Sequence, residues 1–338
     1  MAFCTACLSG CSENADNSSP QDNTPPQTSD SAVAFARGAD ISWITEQEKA
    51  GIKFYDASGK EQECFQLMKN LGVNAVRLRV WVNPKDGWCN AEDVLLKAKR
   101  AAIKGMNIMI DFHYSDSWAD PGQQTVPLAW TAFNVGEMTT AVSQHTRDVL
   151  QLLKNNDISV QWVQVGNETP DGMLWESGRA STHPANFAAY ELAGYNAVKK
   201  VYPDAKVIVH VDQGDNLQRF TWLFDLLKAN GGRWDIIGMS LYPDEDNWQT
   251  KTTACLSNIQ TLARRYNCDV MVCEIGMPWD AEGAPAFAAA MVEGCKKIDH
   301  CKGVFYWEPQ CYNDWKGYSK GAFTPQGQPT AVMNAFKE

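Results

Sequence analysis

The chain has 338 residues, 44% of them hydrophobic, with 13 tryptophans and a formal net charge of −10 from 30 Lys and Arg against 40 Asp and Glu. That supplies one large core or two ordinary domains and argues against a disordered chain. An acidic balance without a basic run argues against nucleic acid and anionic membrane surfaces as partners, and for a neutral substrate.

Taken in chain order, the first residues, MAFCTACLSG, are uncharged and apolar or small, and they lead into Cys11. The tetrapeptide Leu8-Ser9-Gly10-Cys11 resembles a bacterial lipobox, where a signal peptidase cuts before a cysteine that then carries lipid. The alternative is a cysteine-bearing tail of a cytosolic protein. Residues 12–31, SENADNSSPQDNTPPQTSDS, have the composition of a flexible tether. The expected organisation is therefore a lipoprotein signal remnant over 1–11, a polar tether over 12–34 and a folded body over 35–338. The lipobox implies export and an outer-membrane or cell-surface lipoprotein of a Gram-negative-type bacterium, with the periplasmic face as the other option. No later segment approaches ~18 uninterrupted apolar residues, so contact with a membrane is expected only through a lipid on Cys11.

Of the 11 cysteines, Cys4, Cys7 and Cys11 belong to the leader. In the body, Cys295 with Cys301, and Cys255 with Cys268, are spaced loosely enough to bridge after export, with connectivity open. No CxxC pair sits with His at zinc spacing, which argues against a structural metal. Most of the thiols read as small buried hydrophobes.

From residue 35 the chain repeats an apolar run, a loop and a helical pattern. The runs are 35–42 (FARGADIS), 75–81 (AVRLRVW), 107–113 (NIMIDFH), 160–168 (VQWVQVGNE), 205–212 (AKVIVHVD), 235–243 (DIIGMSLYP), 269–276 (DVMVCEIG) and 302–309 (KGVFYWEP). Between them lie stretches such as 92–104 and 135–155 with apolar residues at helical spacing. Eight strands alternating with helices predict an α/β fold, a (β/α)8 TIM barrel forming a single catalytic domain. A doubly wound open sheet is the alternative, but no GxGxxG follows the first run.

The runs end in Asp40, Arg77/Arg79/Trp81, Asp111/His113, Asn167/Glu168, His210/Asp212, Tyr242, Glu274 and Trp307/Glu308. Polar and aromatic groups thus gather where a barrel builds its active site, which predicts an enzyme. Glu168 closes the fourth run and Glu274 the seventh, from where their side chains converge on the mouth. Two such carboxyls suit glycoside hydrolysis, with retention at a separation of ~5–5.5 Å and inversion at ~6.5–9.5 Å. A metal-dependent hydrolase would use His113 and His210, but no HxH ends the first run and no Lys ends the fourth. Arg79 reads equally as a packing residue or a ligand contact. Trp81, Trp118, Trp279 and Trp315 offer flat faces for sugar rings, with core or loop packing as the other reading of each; Trp162, inside a strand, reads as structural.

Asn167-Glu168 with Glu274 resembles the retaining clan A of barrel glycosidases. More narrowly, RGADISW (37–43), NAVRLRVWVNP (74–84), MIDFHYSDSWADPGQQTVPLAW (109–130), VGNE (165–168), GMSLYP (238–243), VMVCEIGMPW (270–279) and VFYWEP (304–309) resemble glycoside hydrolase family 53, the endo-β-1,4-galactanases. By position, the resemblance implies Glu168 as acid/base and Glu274 as nucleophile. It also implies Arg77 holding the nucleophile ionised, Asn167 on the hydroxyl beside the reacting carbon, His113 and Tyr242 lining the central subsite and Trp307 as its floor. Asp111, Trp81, Trp118 and Trp279 are expected to support or contact substrate.

The implied substrate is β-1,4-galactan or type I arabinogalactan, cut internally by a monomer without cofactor. Bacterial relatives bind a calcium ion in a loop after strand 7 or 8; here GMPWDAEGAPAF is short, and Asp280 and Glu282 are too few for a cage of 6–8 oxygens, so no metal is expected. Loop QCYNDWKGY (310–318) also departs from the family pattern. Two alternatives stay open: another clan A β-1,4-glycanase of mannanase or xylanase type, and a non-catalytic surface glycan-binding lipoprotein.

Overall fold

Every residue of the strand Ala75–Val80 is buried, as are all but the first of Asn107–Phe112 and Lys206–Val211. Strands that are apolar on both faces must be covered on both faces, which is what a ring of parallel strands inside a ring of helices provides. The computed structural model describes residues 34–337. The lipobox with Cys11 and the tether up to residue 33 lie outside the described residues.

In chain order the elements are β1 (Ala36–Asp40), α1 (Ile44–Lys49), β2 (Phe54–Tyr55), β3 (Glu61–Gln62), α2 (Cys64–Asn70), β4 (Ala75–Val80), α3 (Ala91–Ile103), β5 (Asn107–Phe112) and α4 (Val135–Lys154). There follow β6 (Trp162–Val165), α5 (Pro184–Val201), β7 (Lys206–Val211), α6 (Leu217–Ala229), β8 (Ile236–Leu241), α7 (Trp248–Tyr266), β9 (Asp269–Ile275), α8 (Ala284–Lys296) and β10 (Cys301–Trp307). Eight of the strands close a barrel in the order β1-β10-β9-β8-β7-β6-β5-β4, while β2 and β3 form a separate two-stranded sheet. All eight expected runs are barrel strands. Helix starts follow local chemistry: Asn90 accepts from the Asp93 N–H to open α3, and Asn134 with Glu137 forms a reciprocal capping box on α4.

Inside the ring, a lumen cluster of Ala36, Ala75, Met109, Trp162, Ile208, Ile236, Met271, Cys273 and Phe305 fills the end away from the polar residues. Trp162 meets Phe305 edge-on at 6.2 Å, confirming its structural role. The Phe305 ring takes the space above Gly38, where an added Cβ would lie 2.1 Å from it.

The fourth run departs from its expected length. The strand stops at Val165, because Gly166 turns at φ +84° and Glu168 follows at φ +41°. Asn167 and Glu168 therefore sit on a strained turn beyond the sheet rather than on its edge. The cysteine reading is also corrected: Cys255, Cys268, Cys295 and Cys301 are free thiols. Three of them are buried, Cys255 and Cys295 on the core-facing sides of α7 and α8, where they act as small apolar side chains.

Candidate active site

The centre of the barrel mouth is organised by one buried guanidinium. Arg77, on β4, donates through Nη1 to Asp40 Oδ2 (2.7 Å) and lies 2.9 Å from Glu274 Oε1. Its Nη2 reaches Asp111 Oδ2 at 2.9 Å and Asn167 Oδ1 at 2.8 Å, and Nε donates to Gln164 Oε1 at 3.2 Å. A single side chain thus ties together β1, β5, β6, β9 and the turn after β6. Burying such a charge is costly unless it is paired, and here three carboxylates compensate it. The strand register brings them there: Asp40 pairs with Arg77 across β1 and β4, and Asp111 with Gln164 across β5 and β6.

Glu274 is buried near the end of β9, with Tyr242 donating to Oε2 at 2.7 Å and Arg77 at Oε1. Glu168 is half-buried, and among the described residues no Lys or Arg forms an ion pair with it. Burial first, then the charge of Glu274, pushes the Glu168 carboxyl well above its usual range. Burial also raises Glu274, against the pull of Arg77 and then of Tyr242. Arg77 lowers Glu274, as expected, but desolvation outweighs it, so the carboxyl lies above its usual range; the asymmetry between the two carboxyls remains, because the two groups touching Glu274 favour its charged form. The turn carrying Glu168 is pinned by Gln124, whose Nε2 donates to the carbonyls of Asn167 (2.9 Å) and Glu168 (3.0 Å).

His113 lies beside this centre with Nε2 3.0 Å from Asp111 Oδ2, while its Nδ1 accepts from the Ala119 N–H at 3.0 Å. That pairing assigns the proton to Nε2, and burial holds the ring neutral. Asn167 Nδ2 donates to Ala119 O at 2.8 Å. His113 and His210 are both committed to hydrogen bonds, and among the described residues no group of three or more His, Cys, Asp or Glu could hold a metal ion.

The cleft above has a volume of about 470 Å³ and gathers His113, Asn167, Glu168, Tyr242, Glu274 and Trp307, as expected from the strand ends. Trp118 lines it too. Trp81, Trp279 and Trp315 do not line the cleft. Trp81 stands behind Trp118, ring centroids 5.3 Å apart, with Nε1 3.4 Å from His113 Nδ1. Asp111 lies wholly beneath the surface, so it supports Arg77 and His113 rather than contacting substrate. Arg79 is fully buried, its guanidinium carbon 4.2, 5.1 and 5.6 Å from the rings of Trp118, Trp81 and Trp43, with Glu308 Oε1 at 3.5 Å. It is a packing and ion-pair residue.

Trp43, Tyr318, Lys316 and Lys320 line the cleft without having been anticipated. Trp43 follows directly on the first run, and its place at a strand end was the available signal; the others belong to the loop after β10, where residue pattern carries little. Trp43 meets Trp307 at 5.2 Å and Trp118 at 5.6 Å, and Tyr318 meets Trp307 at 4.6 Å, all edge-on, so the four rings form one aromatic wall.

Comparison with known proteins places this geometry. The model of glycosyl hydrolase family 53 matches residues 36–288. An uncharacterized protein of Niallia circulans is 38% identical over 337 residues, spanning 90% of this chain and 91% of its own. A probable arabinogalactan endo-β-1,4-galactanase A of Neosartorya fischeri is 33% identical over 304 residues, spanning 82% of this chain and 85% of its own. Among solved structures, a fungal β-1,4-galactanase superposes with a TM-score of 0.82 at 27% identity, over 88% of this chain and 98% of its own.

Proposed function

This chain belongs to glycosyl hydrolase family 53, and from that membership we infer that it is an arabinogalactan endo-β-1,4-galactanase, a retaining glycosidase. Glu168 is the acid/base and Glu274 the nucleophile. The observation that carries these roles is the unequal company of the two carboxyls in one cleft: Arg77 and Tyr242 lie at hydrogen-bond distance from Glu274, while among the described residues no Lys or Arg forms an ion pair with Glu168.

In the first step a Glu274 oxygen attacks the anomeric carbon from the side opposite the glycosidic oxygen. The bond to that oxygen breaks, and Glu168 delivers its proton to it. In the glycosyl ester Glu274 is neutral, so Glu168 is relieved of a neighbouring charge and becomes more acidic. Glu168 then takes a proton from water, which attacks the same carbon as its bond to the Glu274 oxygen breaks, freeing Glu274 as a carboxylate and releasing sugar with its original configuration. Asn167, oriented by Arg77 and Ala119, binds the adjacent hydroxyl. The C–H face of the central galactose stacks on Trp307, and Trp118 and Trp43 extend the wall.

Lipidation of Cys11 and a place on the outer membrane or cell surface complete the proposal, supported by the sequence of 8–31. Cys11→Ser would then move the protein from the membrane to the soluble fraction. The enzyme works as a monomer, since one chain supplies both carboxyls and the aromatic wall.

The test is reducing-sugar release from β-1,4-galactan, mannan, xylan and cellulose. Hydrolysis of galactan alone, lost in Glu168→Gln and Glu274→Gln, supports the proposal. Activity on a different β-glycan moves the specificity, and binding without hydrolysis by wild type contradicts the enzyme.

A further inference from the structure

The reaction needs the Glu168 carboxyl in one place, yet Glu168 stands beyond the end of β6 in a backbone conformation that a side chain rarely adopts. Its φ is +41°, two residues after Gly166 at +84°. Such a turn persists only where its surroundings hold it. One side is held by β7, where the Thr169 N–H (2.9 Å) and hydroxyl (3.2 Å) donate to the His210 carbonyl. The other side is held by one amide, that of Gln124.

Gln124 is 2% exposed, and its Nε2 donates to three carbonyls, those of Asn167 at 2.9 Å, Glu168 at 3.0 Å and Asp120 at 3.1 Å. Three carbonyl oxygens about one atom settle which end of the amide is nitrogen, because the reverse orientation would set oxygen against oxygen. Two hydrogens thus serve three acceptors. The Oε1 has no hydrogen-bond partner among the described residues, so every hydrogen bond of this amide is made by its nitrogen. The backbone beneath is fixed in turn. The Trp175 N–H donates to the Gln124 carbonyl at 2.8 Å, and Asp120 and Gln123 exchange backbone bonds of 2.8 and 3.0 Å.

The carbonyls of Asn167 and Glu168 belong to the two peptide groups on either side of the Glu168 Cα. Because a peptide group is planar, fixing both fixes φ and ψ of Glu168, and with them the direction in which its side chain leaves the backbone. The Asn167 side chain has its own holders, Arg77 Nη2 and the Ala119 carbonyl, each at 2.8 Å. Glu274 stands on β9 with Arg77 and Tyr242 as partners. Among the described residues Gln124 bonds to neither of these side chains.

We propose that Gln124 is a positioning residue for proton transfer, setting the direction of the Glu168 side chain through the two peptide groups that flank its Cα. This rests on Glu168 being the acid/base. Loss of the amide then impairs delivery of the proton and leaves attack by Glu274 intact.

The test compares kcat/KM, which reports events up to formation of the glycosyl ester, on two substrates that differ in their need for a proton. In galactan the departing sugar oxygen takes the Glu168 proton as its bond to the anomeric carbon breaks. In a dinitrophenyl β-1,4-galactobioside the dinitrophenolate leaves with the bonding electron pair as a stable anion and needs none. Gln124→Met keeps the length of the side chain and removes the donor. It is expected to lower kcat/KM on galactan by about a hundredfold, the effect of a reacting group misplaced by about 1 Å, and to leave the aryl substrate close to wild type. A fall by the same factor on both substrates, or on neither, overturns the proposal. Where chemical denaturation shows that Gln124→Met does not fold, Gln124→Glu decides on the same criterion, since it is nearly isosteric and puts an oxygen where the NH2 group stood. Glu168→Ala is run alongside. Selective loss on galactan in Glu168→Ala, with equal losses in Gln124→Met, defeats only the role of Gln124. Equal losses in Glu168→Ala defeat the acid/base reading itself.

Discussion

Glu168 and Glu274 are the same residue type in one cleft, and only what touches them separates their chemistry. Tyr242 is the cleanest handle on that difference, since it donates one hydrogen bond, at 2.7 Å, to Glu274 Oε2 and pulls that carboxyl down. Tyr242→Phe keeps the ring and removes the bond. Glu274 then becomes a weaker acid, so the acid limb of kcat/KM is expected to move to higher pH. With a hydrogen bond to a charged group contributing about 1.5–3 kcal/mol, kcat/KM near the optimum falls about ten- to hundredfold. An unchanged acid limb would mean that Tyr242 does not set the charge of Glu274. At this scale the sequence was most legible where a residue closed an apolar run. Glu168 and Glu274 stood out because a charge at the end of a buried strand needs a reason to be there, whereas the roles of Arg77 and Asn167 came from the resemblance of their segments to family 53. Trp81 had two readings, because chain position does not say which way a ring turns; its indole bonds to His113 behind Trp118, which fits the supporting one.

Among the elements, the barrel strands were readable as continuous apolar runs and the turns after them were not. Tyr114, Glu168, Gln213 and Glu308, just beyond β5, β6, β7 and β10, all have positive φ between +41° and +54°. A hydrophobic pattern cannot announce such residues, because strain of this kind is held by surrounding bonds rather than by local preference. Gln124 is one of those holders, and its role was invisible because it acts on carbonyls 43 and 44 residues away. The closure of β1 on β10 makes a sharper prediction. A Cβ on Gly38 would lie 2.1–2.4 Å from three atoms of the Phe305 ring, in a lumen with no room to give. Gly38→Val is therefore expected to destabilise by about 1–3 kcal/mol or more. Chemical denaturation would show it as a lower midpoint, and a wild-type midpoint would refute the tight packing of the lumen.

At the scale of the whole molecule, buried carboxyls make stability depend on pH. Glu191 on α5 is fully buried, with Oε2 accepting from the Arg233 N–H at 2.8 Å, and burial pushes its carboxyl from 4.5 up to about 8. Below pH 4.5 it is protonated folded and unfolded, so it adds no pH dependence. Between 4.5 and 8 the folded state keeps a proton that the unfolded state gives up, so stability falls as pH rises through that window. Glu308, raised to about 8 by burial and Asp40, acts in the same direction. Glu191→Gln should flatten the decline, gaining up to a few kcal/mol over wild type at pH 8 relative to pH 4, at about 1.4 kcal/mol per pH unit. Parallel pH profiles for variant and wild type would show that Glu191 is ionised in the fold. Nothing in the sequence pointed to this residue, since a Glu on an amphipathic helix reads as solvated until the packing of α5 is known.

The central claim is that Glu274 forms the bond to sugar while Glu168 handles the proton. The most direct measurement is to incubate the enzyme with a 2-deoxy-2-fluoro-β-galactoside carrying a good leaving group and map the adduct by peptide mass spectrometry. One sugar per chain is expected, on the peptide containing Glu274, with labelling lost in Glu274→Gln. A label on Glu168 would contradict it. So would turnover of natural galactan with inverted configuration and no adduct, since water would then attack directly and Glu274 would be a base.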